Sequence, residues 1–281
     1  FKQRFKKRVF YKIKHQADIS LEDEEFIEKR DEKGIVFTNG IYDLEQKELI
    51  PHTSERVFFN QIPWAYDPEA ERQSILQHFQ DVLKDEESIT TMQEACGLML
   101  LPTYYLAKSL IMVGDGSNGK SATINLIRTA LGPRNCANWS FEDLSTSKGR
   151  FKRHHLRGKL ANLGGDISSN TIQQTNIFKQ LTGNDTINAD RKNIEPISFK
   201  NYATMAFASN ELPYPNEDTD AFWRRWLYLK FPYTFKDNLT EADQNDPYVK
   251  EKDPEHEEKL KQDENMRGFL AWATEGATRL L

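Results

Sequence analysis

The sequence predicts an α/β protein with a larger domain on a central parallel sheet, residues 89–281, preceded by a smaller and mainly α domain, residues 1–88. Three observations predict it. Short apolar runs at Ser109–Val113, 159–166 and 203–210 alternate with helical patterns, as parallel strands joined by crossovers do. A glycine-rich turn joins the first run directly to a helical stretch. Before residue 88 the pattern differs, with a charged start, one hairpin signal and one amphipathic stripe.

Composition sets the outer limits. A chain of 281 residues can bury a sizeable core. Charged residues are 29% and aromatics 11%, and no apolar run approaches the ~20 residues a bilayer demands. A soluble protein without membrane partners is expected. The chain opens on Phe1 in a basic stretch without the apolar centre of a signal peptide, so it reads as part of something longer. Cys96 and Cys136 have no CxxC partner or paired histidines, which supports neither a disulfide framework nor a zinc site and implies a reducing, cytoplasmic setting.

The net charge of -5 is segregated. Residues 1–14 hold seven Lys and Arg interleaved with Phe5, Phe10 and Tyr11, and no acid. Residues 147–159 carry Lys148, Arg150, Lys152, Arg153, Arg157 and Lys159 with His154 and His155, again without an acid. Residues 236–264 are rich in Asp and Glu. Local patches rather than total charge decide what a phosphate backbone meets, although any one run can equally be a solvated face.

In the first domain, apolar runs flanking Asn39-Gly40 predict a hairpin, and Ile75, Leu76, Phe79, Val82 and Leu83 fall at helical spacing. A helix from Thr91 carries Ala95, Leu98, Met99 and Leu100 up to Pro102. Residues 237–264 read as a polar loop or partly mobile helix.

The first strand of the larger domain runs into Gly114-Asp115-Gly116-Ser117-Asn118-Gly119-Lys120-Ser121, which satisfies GxxxxGK[ST], and a helical run closed by Gly132-Pro133 follows. Backbone N–H groups of such a loop wrap a β-phosphate, and the helix N-terminus adds partial positive charge. Lys120 then neutralises β- and γ-oxygens and Ser121 ligates Mg²⁺. ATP with Mg²⁺ is the expected ligand.

Kinases, GTPases and motors share this loop, so other positions must discriminate. The run 159–166 ends on Asp166, where a carboxylate can hold Mg²⁺ through water; an acid at a strand end is also ordinary. The run 203–210 ends on Asn210, whose amide could orient water near a γ-phosphate or simply begin a turn. Between them, Gly183-Asn184 and Arg191-Lys192 suit a turn and a projecting basic hairpin. Arg224 and Arg225 precede a strand starting at Trp226, as a charged fork reaching a neighbouring subunit's γ-phosphate would, or as surface ion pairs. Trp223 and Trp226 could stack on bases, with burial beside the strand the competing reading.

These elements in this order resemble the superfamily 3 helicases, most nearly the phage and plasmid helicase–primase type related to poxvirus primase-helicases. The resemblance spans nearly the whole chain: Asn39-Gly-Ile-Tyr-Asp-Leu with Pro51-His52, Leu181-Thr-Gly-Asn-Asp, and Ala208-Ser-Asn-Glu-Leu-Pro213. It implies an AAA+ ATPase fold behind a helicase-associated N-terminal domain. The implied assembly is a hexamer that unwinds DNA with 3′ to 5′ translocation in a host-cell cytoplasm. The implied partners are single-stranded or forked DNA, further copies of the chain and a primase domain in cis or in trans. By the same resemblance nucleotide contact falls to residues 114–121, Mg²⁺ coordination to Ser121 and Asp166, γ-phosphate sensing to Asn210, the arginine finger to Arg224 or Arg225, and channel DNA contact to Arg191 and Lys192. The sequence departs from the family at Gly165, where a second acid usually precedes the aspartate. The competing expectations are an oligomeric initiator or signalling ATPase that binds DNA without unwinding it, and a small-molecule kinase.

Overall fold

A computed structural model describes residues 30–146, 149–167, 175–192, 194–216 and 219–281. The basic tract at 1–14 lies outside the described residues, as does Lys148.

Strands β1 (Gly34–Phe37), β2 (Gly40–Asp43) and β3 (Glu48–Ile50) form an antiparallel meander. The expected hairpin is there, but it turns on Thr38-Asn39, with Phe37 opposite Gly40 in the ladder. Asn39 fixes the turn by bonding both ways to the Tyr66 backbone, at 2.9 Å each. Gly40 serves close approach: a Cβ there would stand 2.6 Å from the Ile50 carbonyl.

Helix α1 (Gln73–Val82) buries Ile75, His78, Phe79 and Val82 along one stripe. Helix α2 (Glu86–Leu98) starts earlier than the periodicity suggests because Asp85 caps it, accepting from the Ser88 N–H. A boundary at residue 88 therefore falls in the first turn of a helix. Ile35, Phe37, Ile75 and Phe79 share one apolar cluster with Leu110, Met112 and Leu126, so the core is continuous across that point.

The central sheet has five strands, all parallel, in the order Trp226–Lys230, Ser109–Val113, Thr204–Ser209, Ala161–Asp166 and Cys136–Ala137 across it. In chain order its parts are β4 (Ser109–Val113), α3 (Lys120–Leu131), β5 (Cys136–Ala137), α4 (Phe141–Ser145), α5 (Arg150–Arg153) and β6 (Ala161–Asp166). Then come α6 (Thr175–Thr182), an antiparallel hairpin of β7 (Thr186–Arg191) and β8 (Ile194–Lys200), β9 (Thr204–Ser209), α7 (Asp220–Trp223) and β10 (Trp226–Lys230). Every residue of β4 and β9 is buried, as strands covered on both faces must be. Side chains alternate between two cores: Leu110 and Met112 join the first, Ile111 and Val113 a second built with Phe141, Phe178 and Trp226. Trp226 is buried and stacks on Phe178 with centroids 4.4 Å apart, so its burial, not base stacking, is what the fold uses.

The acidic stretch 237–264 is more ordered than its polarity suggests. It follows β11 (Thr234–Lys236) and holds α8 (Glu241–Gln244), closed by a capping box, β12 (Val249–Glu251), parallel to β11, and α9 (His256–Leu260). Helix α10 (Asp263–Arg279) then returns to the core. It packs on α2 at backbone distance, since a Cβ at Gly97 would lie 2.2 Å from the Ala277 nitrogen. Its Trp272 stacks on Phe79 at 4.6 Å.

Candidate active site

The glycine loop occupies the C-terminal end of β4, where an open parallel sheet presents its strand ends to ligand. Its backbone needs conformations that most side chains resist: Ser117 has φ 56° and Gly119 φ 88°. A Cβ at Gly119 would also lie 2.4 Å from Val82, so α1 is pressed against the loop from behind. Gly116 has nothing within 4 Å of a Cβ position, leaving its backbone open to approach.

Lys120 is buried at the start of α3. Its ammonium donates to the Gly114 carbonyl, to the Asp115 carbonyl at 3.0 Å and to Asn118 Oδ1 at 3.1 Å. Burial lowers its pKa, and the nearby Asp166 and Asp115 carboxylates act in the opposite sense. Ser121 is exposed on the same first turn.

A support behind the loop escaped the sequence reading. Thr123 donates its hydroxyl proton to the Gly119 carbonyl at 3.0 Å and lies 3.0 Å from His78 Nε2. The hydroxyl's proton is committed, so His78 Nε2 donates to it and His78 Nδ1 accepts from His256 Nε2 at 2.9 Å. Burial, and then His256, pull His78 down to about 3, which keeps the ring neutral. The available signal was a histidine inside the apolar stripe Ile75, Phe79, Val82.

Asp166 is exposed at the end of β6, within electrostatic reach of Lys120. A bulge precedes it: Leu163 pairs with Ala206 and Asp166 with Ala208, so Gly164 and Gly165 stand opposite Phe207 alone. Gly164 is required there, because a Cβ would come within 2.6 Å of the Phe207 ring. Gly165 is not, since a Cβ there meets nothing within 4 Å. Asn210 is exposed just past β9 and lines the same cavity as Gly114 and Asp115. The fold thus gathers Lys120, Ser121, Asp166 and Asn210 at one end of the sheet.

Arg224 and Arg225 are at the other end. Trp226 pairs with Ser109 and Lys230 with Val113 in parallel register, so both arginines precede the strand whose far end meets the glycine loop. Arg224 is exposed, while its carbonyl accepts from Lys108 at 2.6 Å. Arg225 is half-buried and donates to the Ala221 carbonyl; burial, then Arg224, lower its pKa.

Arg191 and Lys192 sit at the tip of the β7–β8 hairpin, with Lys192 exposed and Arg191 donating to the Glu195 carbonyl at 3.1 Å. The basic tract from Arg150 packs beside β7, and part of its charge is spent internally. Arg150 pairs with Asp190 at 2.5 Å, Lys152 with Asp143, and Arg153 is buried against the Leu144 carbonyl at 2.8 Å.

Among the described residues no group of three or more His, Cys, Asp and Glu could hold a metal ion. A hydroxyl and one carboxylate beside a glycine loop of this kind nevertheless match Mg²⁺, which takes oxygen ligands and usually keeps several waters.

Residues 112–225 match the model of DUF5906, a family of unknown function, and residues 1–85 match that of the "D5 N terminal like" family. The chain is 28% identical over 232 residues to the "Putative helicase L207/L206" of Acanthamoeba polyphaga mimivirus, covering 78% of this chain and 24% of that protein. It spans about a quarter of that relative. Apo structures of the NrS-1 C-terminal region are similar in fold, one with TM-score 0.54 and 15% identity over 77% of this chain and 49% of that one. Another gives TM-score 0.53 and 14% identity over 89% of this chain and 67% of that one.

Proposed function

Taking as premise the phage and viral primase-helicase family that the two family models, the viral relative and the shared fold support, we propose that this chain is the ATP-hydrolysing motor of a replicative DNA helicase. A replication helicase-like function is the common ground. The reading goes further, to a hexameric ring translocating 3′ to 5′ on single-stranded DNA, working with a primase domain in cis or in trans. Among the described residues no helix is long and apolar enough to cross a membrane, and DNA is the partner proposed.

One observation carries the reading: Lys120, Ser121, Asp166 and Asn210 meet at one end of the sheet, while Arg224 and Arg225 lie a strand length away at the other. In a chain built so, neither Arg224 nor Arg225 serves the phosphate site of its own copy, and a neighbouring copy in a ring can supply one of them. In this reading Lys120 leaves the loop carbonyls for the β- and γ-phosphates, and the glycine-loop N–H groups take the oxygens between. Ser121 and Asp166 would hold Mg²⁺, which when bound neutralises charge on the phosphates. Asn210 orients the attacking water, and Arg191 with Lys192 grips consecutive DNA phosphates from the hairpin tip.

The test is ATP turnover with and without single-stranded DNA, together with unwinding of a forked duplex. DNA-stimulated turnover that falls steeply with salt is expected, and Lys192→Ala should reduce the salt slope of DNA binding by about one. Turnover indifferent to DNA, with the fork left intact, would refute the motor and leave a nucleotide-binding initiator.

A further inference from the structure

We propose that the nucleoside half of the bound triphosphate lies in a tyrosine-lined groove beside the glycine loop, an assignment that rests on the nucleotide-binding reading above. The groove is part of a cavity of about 810 Å³ that Gly114, Asp115 and Asn210 also line. That volume is within the range of small-molecule sites, roughly 300–1,000 Å³. Its walls come from four segments: Lys84 before α2, Tyr214 after β9, Tyr228 and Lys230 on β10 with Tyr233 just beyond, and Tyr248 before β12.

Packing does not account for these rings. Tyr214, Tyr228 and Tyr248 are 68%, 47% and 47% exposed. With Leu212 they make four of the nine large apolar side chains that stand exposed among the described residues, and all four line this hollow. Such clustering marks a binding surface, whereas single exposed apolar residues mean little. Tyr233 is fixed in advance: Lys250 sits 4.1 Å over its ring and is itself held by Asp81 at 3.0 Å, with Tyr248 6.0 Å away.

The groove and the phosphate cradle are one continuous surface. The Phe231 N–H donates to the Val113 carbonyl and the Phe235 N–H to the Ser117 carbonyl, both at 2.7 Å, so the segment carrying Tyr233 is stitched to the loop on both sides. Phosphates on the glycine loop leave the attached sugar and base in reach of aromatic faces, and the charges on the lining, Lys84 and Lys230 against Asp85, Asp115 and Glu211, are mixed, so the rings rather than charge carry the assignment.

Calorimetric titration of the full chain with ATP and, separately, with inorganic tripolyphosphate tests this. ATP should bind at least tenfold more tightly than tripolyphosphate. Tyr228→Ala and Tyr248→Ala, both at exposed positions, should each weaken ATP binding roughly fivefold or more and leave tripolyphosphate binding unchanged. Phe at either position should retain ATP affinity, because a ring face suffices. Unchanged ATP affinity in the double alanine variant, or an equal loss for both ligands, would overturn the groove assignment while leaving the phosphate site in place. Failure of the unaltered chain to bind either ligand would remove the nucleotide reading itself.

Discussion

Replacing Arg224 by alanine separates a shared active site from a self-contained one. Five strand residues at ~3.3 Å each put Arg224 about 16 Å from its own glycine loop. At that distance two unit charges in water interact by only about 0.3 kcal/mol, and screening with a Debye length of ~8 Å cuts this to about 0.04 kcal/mol. Acting within one chain, Arg224→Ala would therefore change turnover less than about twofold. Acting as a finger on a neighbour's γ-phosphate, its loss should cost roughly 10³-fold or more with nucleotide affinity nearly kept. Arg224 is the better candidate of the pair because it is exposed, whereas Arg225 is half-buried and bonded to the Ala221 carbonyl. The assay mixes Arg224→Ala with Lys120→Ala subunits, each inactive alone. In a randomly mixed ring about one quarter of interfaces join an intact loop to an intact finger, so about a quarter of normal turnover should return. No recovery in mixed assemblies, or an Arg224→Ala protein within twofold of normal, would refute the reasoning.

Three further outcomes are expected. Gly165→Glu should fold with stability within about 0.5 kcal/mol of the original, since the added Cβ meets nothing within 4 Å, and should raise ATP turnover by supplying a second acid beside Asp166; unchanged turnover would show that this acid is not limiting. Gly119→Ala should cost about 1–3 kcal/mol through its φ of 88° and its 2.4 Å approach to Val82, and should abolish nucleotide binding, as thermal melts and titration would show. Arg56→Ala should lower stability at pH 7 by about 2 kcal/mol, read by denaturant titration, because Arg56 bonds Asp31 and the buried Asp43, both at 2.5 Å. Burial works to raise both carboxyls, but the Arg56 bonds and backbone N–H groups outweigh it and hold them below the ordinary range. A depressed folded pKa gives stability that is present above about pH 4 and lost as pH falls through the lower folded value. The variant's disadvantage should therefore shrink in acid.

Where short-range chemistry decides, the sequence was legible. The all-buried strands β4 and β9 were visible as apolar runs, and the glycine loop as a motif between strand and helix. Asn184, expected in a turn, has φ 60°, and Arg191 and Lys192 do stand at a hairpin tip. Where partners are distant in sequence, it was not. The order within 237–264 depends on β12 pairing with β11 and on Lys250 reaching Asp81, contacts that polarity alone conceals. A boundary at residue 88 looked natural because the pattern changes there, yet α1 and α10 close over the same core.

Residues 114–121 were enough to set the conformation of the glycine-rich cradle, because the left-handed backbone at Gly119 and the lysine after it are properties of eight consecutive residues. Tertiary structure alone decided what surrounds that cradle. His78, Thr123 and His256 meet behind it from three separate helices or turns, and four tyrosines from distant segments gather at one side of it. Parallel strand register alone put the two arginines out of reach of their own loop. The physical reason is the same in each case: burial and hydrogen bonding reward groups for being near in space, and a sequence records only nearness along the chain.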